Sequence, residues 1–138
     1  MITANELRRG NLIINVGRRG SVQPLIDVES VSVSLLGIIA TYPDNHEYGA
    51  IPLTEAWLLK AGFGVKTTLS EYRFRWIKGK FELMKVFWED EEPQFCLSKT
   101  ANGDLSYYAH GEIPKVEYLH QLQNLYFALT GEELEFKL

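Results

Sequence analysis

Cysteine is all but missing from this chain. Cys96 is the only one in 138 residues, so no intramolecular disulfide can form and no multi-cysteine zinc site can be assembled. Histidine is scarce as well: His46, His110 and His120 are scattered, with none of the close spacings that zinc motifs use. Long apolar runs are absent. The longest, Leu35 to Ala40, is interrupted by Gly37 and falls far short of a bilayer span. The opening MITANELRRGN places polar residues and arginines where a secretory signal would need an apolar stretch. Basic charge is not in excess, the formal net charge being −4. Nor is there a phosphate loop, a dinucleotide fingerprint, a nucleophile elbow or a carboxylate pair that spacing alone could bring together. These absences lead us to expect a cytoplasmic protein without membrane segment, metal or cofactor, and with no catalytic residue to name.

What is present is the material of a core. Hydrophobic residues make up 46% of the chain, with seven Tyr, seven Phe and three Trp among them, enough for a protein of this length to fold without covalent staples. We read one compact domain over 1–138, divisible into a β-rich sub-lobe, 1–50, and a helix–meander–helix sub-lobe, 51–138. Charge is uneven along it. Residues 1–88 hold 11 Lys and Arg against 8 Asp and Glu, whereas residues 89–138 hold 3 against 10. A dipole of that size steers encounters without naming a partner.

The clearest local signal is YLHQLQNLYFALTGEEL, Tyr118 to Leu134. On a helical wheel Tyr118, Leu119, Leu122, Leu125, Tyr126 and Leu129 share one face, which marks an amphipathic helix. Gly131 follows where a left-handed terminating residue belongs. IPLTEAWLLKAGF carries a second helix, with Thr54 as N-cap, Glu55 at the positive end and Gly62 as the stop. Leu53 and Leu58 stand at hydrophobic-staple positions, and Trp57, Leu58 and Ala61 are expected to face the core. Thr3 to Leu7 reads as a short helical or turn-like stretch ended by Gly10.

Four short strand candidates come next: Asn11 to Val16, Ser21 to Val28, Ser30 to Leu35 and Ile38 to Tyr42. In the third, Val31, Val33 and Leu35 alternate with serines, the period of a half-buried strand. They imply a small curled sheet or an SH3-like half-barrel. Residues 71–110 read as an antiparallel meander with a turn at Lys78-Gly79 and a hairpin at Asn102-Gly103. That first turn would set Trp76 opposite Phe81, Phe74 opposite Leu83 and Arg75 opposite Glu82. The helix over residues 116–130 would then cover the aromatic face, and Leu134 to Lys137 would return as an edge strand. The fold class is α+β.

Arg8-Arg9 and Arg18-Arg19 flank the first strand candidate, each pair before a glycine. Paired guanidiniums suit phosphate oxygens, and LRRGNLIINVGRRGSV is similar to the glycine-spaced opening of KOW-type SH3-like barrels, which contact RNA or protein. Four solvated loop arginines are the plainer reading and the one we prefer. YRFRWIKGKF interleaves basic and aromatic residues as single-strand platforms do, but strand alternation sends the aromatics and the arginines to opposite faces. Asp44, His46 and Glu47 read as polar loop residues before they read as metal ligands, and EDEE, Glu89 to Glu92, as a solvated turn lacking the spacing of a calcium site. Cys96, with no nearby base to lower its pKa, is expected to be an inert, half-buried thiol. His120, Gln123, Asn124 and Phe127 lie off the leucine stripe of the C-terminal helix. Either they pack under the chain's own N-terminal lobe or they form an interface with a partner chain.

ELRRGN (6–11), PLTEAWLLKAGF (52–63) and YLHQLQNLYFALTGEEL (118–134) also resemble the blocks of a family of short proteins from gut-dwelling anaerobic bacteria and their prophages. That family combines an ELRxGN opening, a PIPLTxxWLxKxGF middle and an HQLQNLYFALTGEEL ending; Ala50 stands here where the middle block has its leading proline. The resemblance brings no activity with it, so no catalytic or ligand residue is carried over. The function expected is a non-enzymatic interaction module, tied to a mobile element and binding another protein or itself. The first alternative is a nucleic-acid-binding accessory protein that uses Arg8, Arg9, Arg18 and Arg19. The second is an enzyme with an unrecognised site around His110 and Glu112.

Overall fold

The computed structural model describes residues 2–15, 28–44, 48–67, 73–86, 94–100, 103–104 and 115–137. Two antiparallel sheets and three α-helices account for most of them. The chain divides into two units, the first made of Met1–Pro52 with Tyr118–Asn124 and the second of Leu53–Glu117 with Leu125–Leu138. The division near residue 50 is that of the two sub-lobes, but a short segment from the C-terminal part of the sequence returns to the first unit.

In the first unit β1 (Leu12–Asn15) runs antiparallel between β2 (Val28–Ser30) and β3 (Tyr48–Gly49). Pairing continues beyond the strands, since Val31 N–H donates to the Asn11 carbonyl at 2.8 Å and Gly10 N–H to the Val31 carbonyl at 2.9 Å. A 3-10 turn over Ala4–Glu6 precedes the sheet. The Glu6 carboxylate reaches back to accept from the Thr3 N–H at 2.8 Å and its hydroxyl at 2.9 Å, one half of a T-x-x-E capping box. α1 spans Val33–Thr41, and its N-cap is Ser32, whose hydroxyl accepts from Leu35 N–H at 3.1 Å. Leu35 and Ile39, four residues apart on one face, join Ile2, Ile13 and Val31 in the core of this unit. α3 (Leu119–Thr130) begins here: Leu119 N–H donates to the Ile51 carbonyl at 2.8 Å, and Leu119 and Leu122 are wholly buried.

In the second unit α2 (Glu55–Lys60) has both ends written in the sequence. The Thr54 hydroxyl accepts from Trp57 N–H at 3.4 Å. At the other end Phe63 N–H bonds the Leu58 carbonyl and Gly62 N–H the Leu59 carbonyl, each at 3.0 Å, with Gly62 at φ 87; this pair of bonds is a Schellman stop. Lys78 adds a cation there, its Nζ 2.5 Å from the Ala61 carbonyl, where the helix dipole is negative. Trp57, Leu58 and Ala61 are buried.

The larger sheet follows the order β4 (Gly64–Thr67), β5 (Arg73–Lys78), β6 (Phe81–Val86), β7 (Gln94–Thr100) and β8 (Gly103–Asp104), with β9 (Lys115–Val116) also paired to β7. Trp76, Phe81, Leu83, Phe95 and Leu97 are buried. The last turns of α3 lie on this sheet through Tyr126, whose ring meets Phe81 edge-on at 5.2 Å.

Several expectations are corrected. Ser30 to Leu35 and Ile38 to Tyr42 are not strands of their own: Ser30 ends β2, while Val33 to Leu35 and Ile38 to Thr41 belong to α1. VSVSL satisfies a period of two, but Ser32 is a helix cap and Leu35 with Ile39 also satisfies a helical period, so Val33 points out and not in. The small sheet therefore stands without the SH3-like half-barrel that those strands would have formed. Residues 21–27 of the second candidate lie outside the described residues.

In the meander the β5–β6 turn is Gly79-Lys80, with Lys78 paired to Phe81 and Trp76 to Leu83. The expected register was off by two residues, which preserves the faces. Arg75 consequently pairs with Met84 and reaches Glu82 diagonally, Nε to Oε1 3.2 Å. Gly103 pairs with Thr100 and so belongs to β8, not to a turn. The C-terminal helix starts at Leu119, because Lys115 and Val116 are strand. Leu134 to Lys137 form no strand. Lys137 N–H instead donates to the Lys60 carbonyl at 2.9 Å, and Phe136 packs edge-on against Trp57.

Two glycines test the helix assignments in opposite directions. Gly37 lies inside α1, and a Cβ there would meet nothing within 4 Å. Gly37→Ala is expected to stabilise the protein by roughly 0.5–1 kcal/mol. Gly62→Ala is expected to cost about 1–2 kcal/mol because of its left-handed backbone. Urea denaturation of the two variants checks both signs; a destabilising Gly37→Ala would be incompatible with a helix at this position.

Candidate functional site

Gln123 and Asn124, two of the side chains singled out on the C-terminal helix, come together with the N-terminal segment in the first unit. Gln123 is buried. Its Oε1 accepts from Leu12 N–H at 2.7 Å, and its Nε2 donates to the Gly10 carbonyl at 3.2 Å. A primary amide here does what the peptide group of a neighbouring strand would do at the head of β1. Asn124 Nδ2 donates to the Glu6 carbonyl at 3.0 Å, while its Oδ1 accepts from Asn11 Nδ2 at 2.8 Å and from Arg8 Nε at 3.2 Å. Asn11 is fully buried, and its own Oδ1 takes Arg8 N–H at 2.6 Å. Of the four residues offered as a partner surface, Gln123 and Asn124 are thus spent on the chain's own first dozen residues. This is the packing alternative of the sequence reading.

His120 is also interior, with 1% exposure. Its ring stacks on Tyr118, centroids 5.9 Å apart and planes at 15°. Among the described residues neither ring nitrogen has a hydrogen-bond partner. Burial pushes its pKa below the ordinary histidine value, outweighing the Glu6 charge that acts the other way. Phe127 alone of the four keeps a substantial exposed surface, 39%.

Of the arginine edge only Arg8 and Arg9 are among the described residues. Arg8 is partly buried, and besides Asn124 its Nη2 reaches the Gln123 carbonyl at 3.4 Å. Arg9 is exposed. Arg18 and Arg19 lie outside the described residues, as do His46, Glu47, His110, Glu112 and Glu89 to Glu92; Asp44 is exposed. Among the described residues no group of three or more His, Cys, Asp or Glu is placed to hold a metal ion, and no helix is long and apolar enough to cross a membrane. Cys96 is more deeply buried than expected. A base is nearby after all, Lys115 on the paired strand β9, but burial prevails and pushes the thiol pKa up.

Two surface features were missed by the sequence reading. The first is the outer face of α1. Its nine residues, VSLLGIIAT, contain no charge, and Val33 is 69% exposed, Ile38 47% and the C-cap Tyr42 56%. Reading the segment as two strands hid this face, although a serine followed by a long uncharged run was the available signal. The second is a shallow cleft of about 440 Å³ in the second unit, lined by Lys78, Lys80, Phe81, Tyr126, Leu129 and Glu132 among others. Its best-placed cation, Lys78, is already committed to the Ala61 carbonyl. The chain matches no family model, no curated protein and no solved structure.

If Gln123 substitutes for a strand, removing its amide takes two part-buried hydrogen bonds from Leu12 N–H and the Gly10 carbonyl, each contributing about 0.5–1.5 kcal/mol. Gln123→Ala is expected to lower stability by roughly 1–3 kcal/mol in urea denaturation. Gln123→Glu, which turns a carboxylate oxygen toward the Gly10 carbonyl at a buried position, should cost at least as much. Near-parental stability of Gln123→Ala would exclude the role.

Proposed function

We propose that the protein is a non-enzymatic protein-interaction module, with the mobile-element origin its resemblance implies, and that it docks its partner on the outer face of α1. The supporting observation is a helix without charge that keeps Val33, Ile38 and Tyr42 in water. Solvent-facing helical positions normally carry polar or charged residues. Val33 stands on one flank of this face and Ile38 on the other, with the small, uncharged Ser34, Gly37 and Thr41 exposed between them, and fully burying an apolar side chain is worth about 1.5–3 kcal/mol. His120, Gln123 and Asn124 leave the list of contact residues because they are occupied within the first unit.

The test is site-specific photo-crosslinking in the cell that encodes the protein. A photoreactive phenylalanine at Ile38 should give a discrete adduct, whose mass separates another protein from a second copy. The same probe at exposed Asn5 should give none. Adding Val33→Glu and Tyr42→Glu should remove the Ile38 adduct while the circular dichroism spectrum is unchanged. No adduct at Ile38, or one that survives both glutamates, would remove α1 as the docking face.

A further inference from the structure

Independently of any partner, His120 poses a problem of its own. A neutral imidazole carries one N–H donor and one lone pair. Both are enclosed here without partners among the described residues, an arrangement that costs free energy at each atom. The ring is nevertheless placed where the first unit is fastened. Just before it, Leu119 N–H holds the Ile51 carbonyl, and Tyr118 pairs with Pro52. One turn later, Gln123 and Asn124 hold Gly10, Leu12 and Glu6. Every one of these fastenings depends on the first turns of α3 staying seated.

We propose that His120 is an acid-sensitive latch: on gaining a proton the imidazole leaves its buried position against Tyr118 and unseats the start of α3 from the N-terminal segment. Among the described residues none accepts a hydrogen bond from the ring at that position, so the charge cannot remain there at low cost. The charged group acting on it is Glu6 of the 3-10 turn. Hydrogen bonds from Thr3 hold the Glu6 carboxylate below its usual pKa, so it remains anionic and offers the displaced imidazolium a destination. Asn11 of the segment leading into β1, and Gln123 and Asn124 of α3, are uncharged. Arg8, the cation of the network, is bonded to Asn124 and to the Gln123 carbonyl.

The sign follows from linkage. With the folded-state pKa lowered, the unfolded chain binds a proton that the folded chain does not in the interval below the ordinary value of about 6.5. Stability is therefore unaffected by His120 well above that value and is lost as the pH falls through the interval. One proton limits the loss to a tenfold drop in the folding equilibrium constant per pH unit.

The experiment is an imidazole-resolved NMR titration of the full chain, with His46→Gln and His110→Gln used to assign the signals. It is joined to urea denaturation of the parent and His120→Phe from pH 8 to 5. The His120 signal should titrate below the range of an exposed histidine. The parent should lose stability relative to His120→Phe between pH 7 and 5. Amide protection factors, taken relative to the intrinsic exchange rate at each pH, should fall at Leu12 and Leu119 over the same interval, while that at Phe63 in the second unit should not. A His120 that titrates like an exposed histidine, or equal pH slopes for parent and variant, would overturn the latch. The titration of the parent needs no variant, so it decides the matter even if His120→Phe does not fold.

Discussion

A backbone N–H or carbonyl that leaves a sheet must be paired again before water is excluded from it. At the head of β1 that requirement is met by one side chain. Gln123 presents its amide to Gly10 and Leu12 as a strand would, and Asn124 beside it gathers Glu6, Arg8 and Asn11. The core of the first unit, Ile2, Ile13, Val31, Leu35 and Ile39, can close only because the polar groups next to it are already satisfied. Hydrophobic area supplies the driving force, but this pairing decides which arrangement is acceptable.

The second unit solves the same problem with backbone and charge. The carbonyls at the end of α2 are met by Gly62 and Phe63 N–H, by the Lys78 ammonium and, on Lys60, by Lys137 N–H. Lys78 also stands over the Tyr126 ring, and Lys85 joins Glu55 while lying over Phe95. These lysines are parts of the scaffold as much as of the surface. That is why the cleft beside Lys78 has so little free charge to offer a ligand.

Some of this was legible in the sequence and some was not, for definite reasons. Thr54, Gly62, Gly131, Leu119 and Leu122 act through local rules, and each is where those rules put it; Leu129, placed on the same stripe by the helical wheel, is 40% exposed. The α+β class and the antiparallel meander follow from the same kind of signal. α1 was misread because VSVSL fits two periods at once, and only the tertiary position of Ile39 chooses between them. The β5–β6 register slipped because Gly79 with either neighbour makes a two-residue turn, and the choice depends on pairing further along the strands. The roles of Gln123 and Asn124 could not be read at all, since their partners lie more than a hundred residues away along the chain.

That separation matters during synthesis. The first 52 residues reach the cytosol-facing end of a ribosome well before Tyr118–Asn124, which complete their unit. At about 5–20 residues per second the wait is roughly 3–13 s. Through it the Gly10 carbonyl, the Leu12 N–H and the Asn11 side-chain amide nitrogen lack the α3 groups that satisfy them in the finished fold, although the apolar cluster beneath α1 comes wholly from residues already made. Contacts of such long range also close slowly. The nascent N-terminal half can thus gather its apolar side chains early, but its polar edge is completed only when the end of the chain arrives.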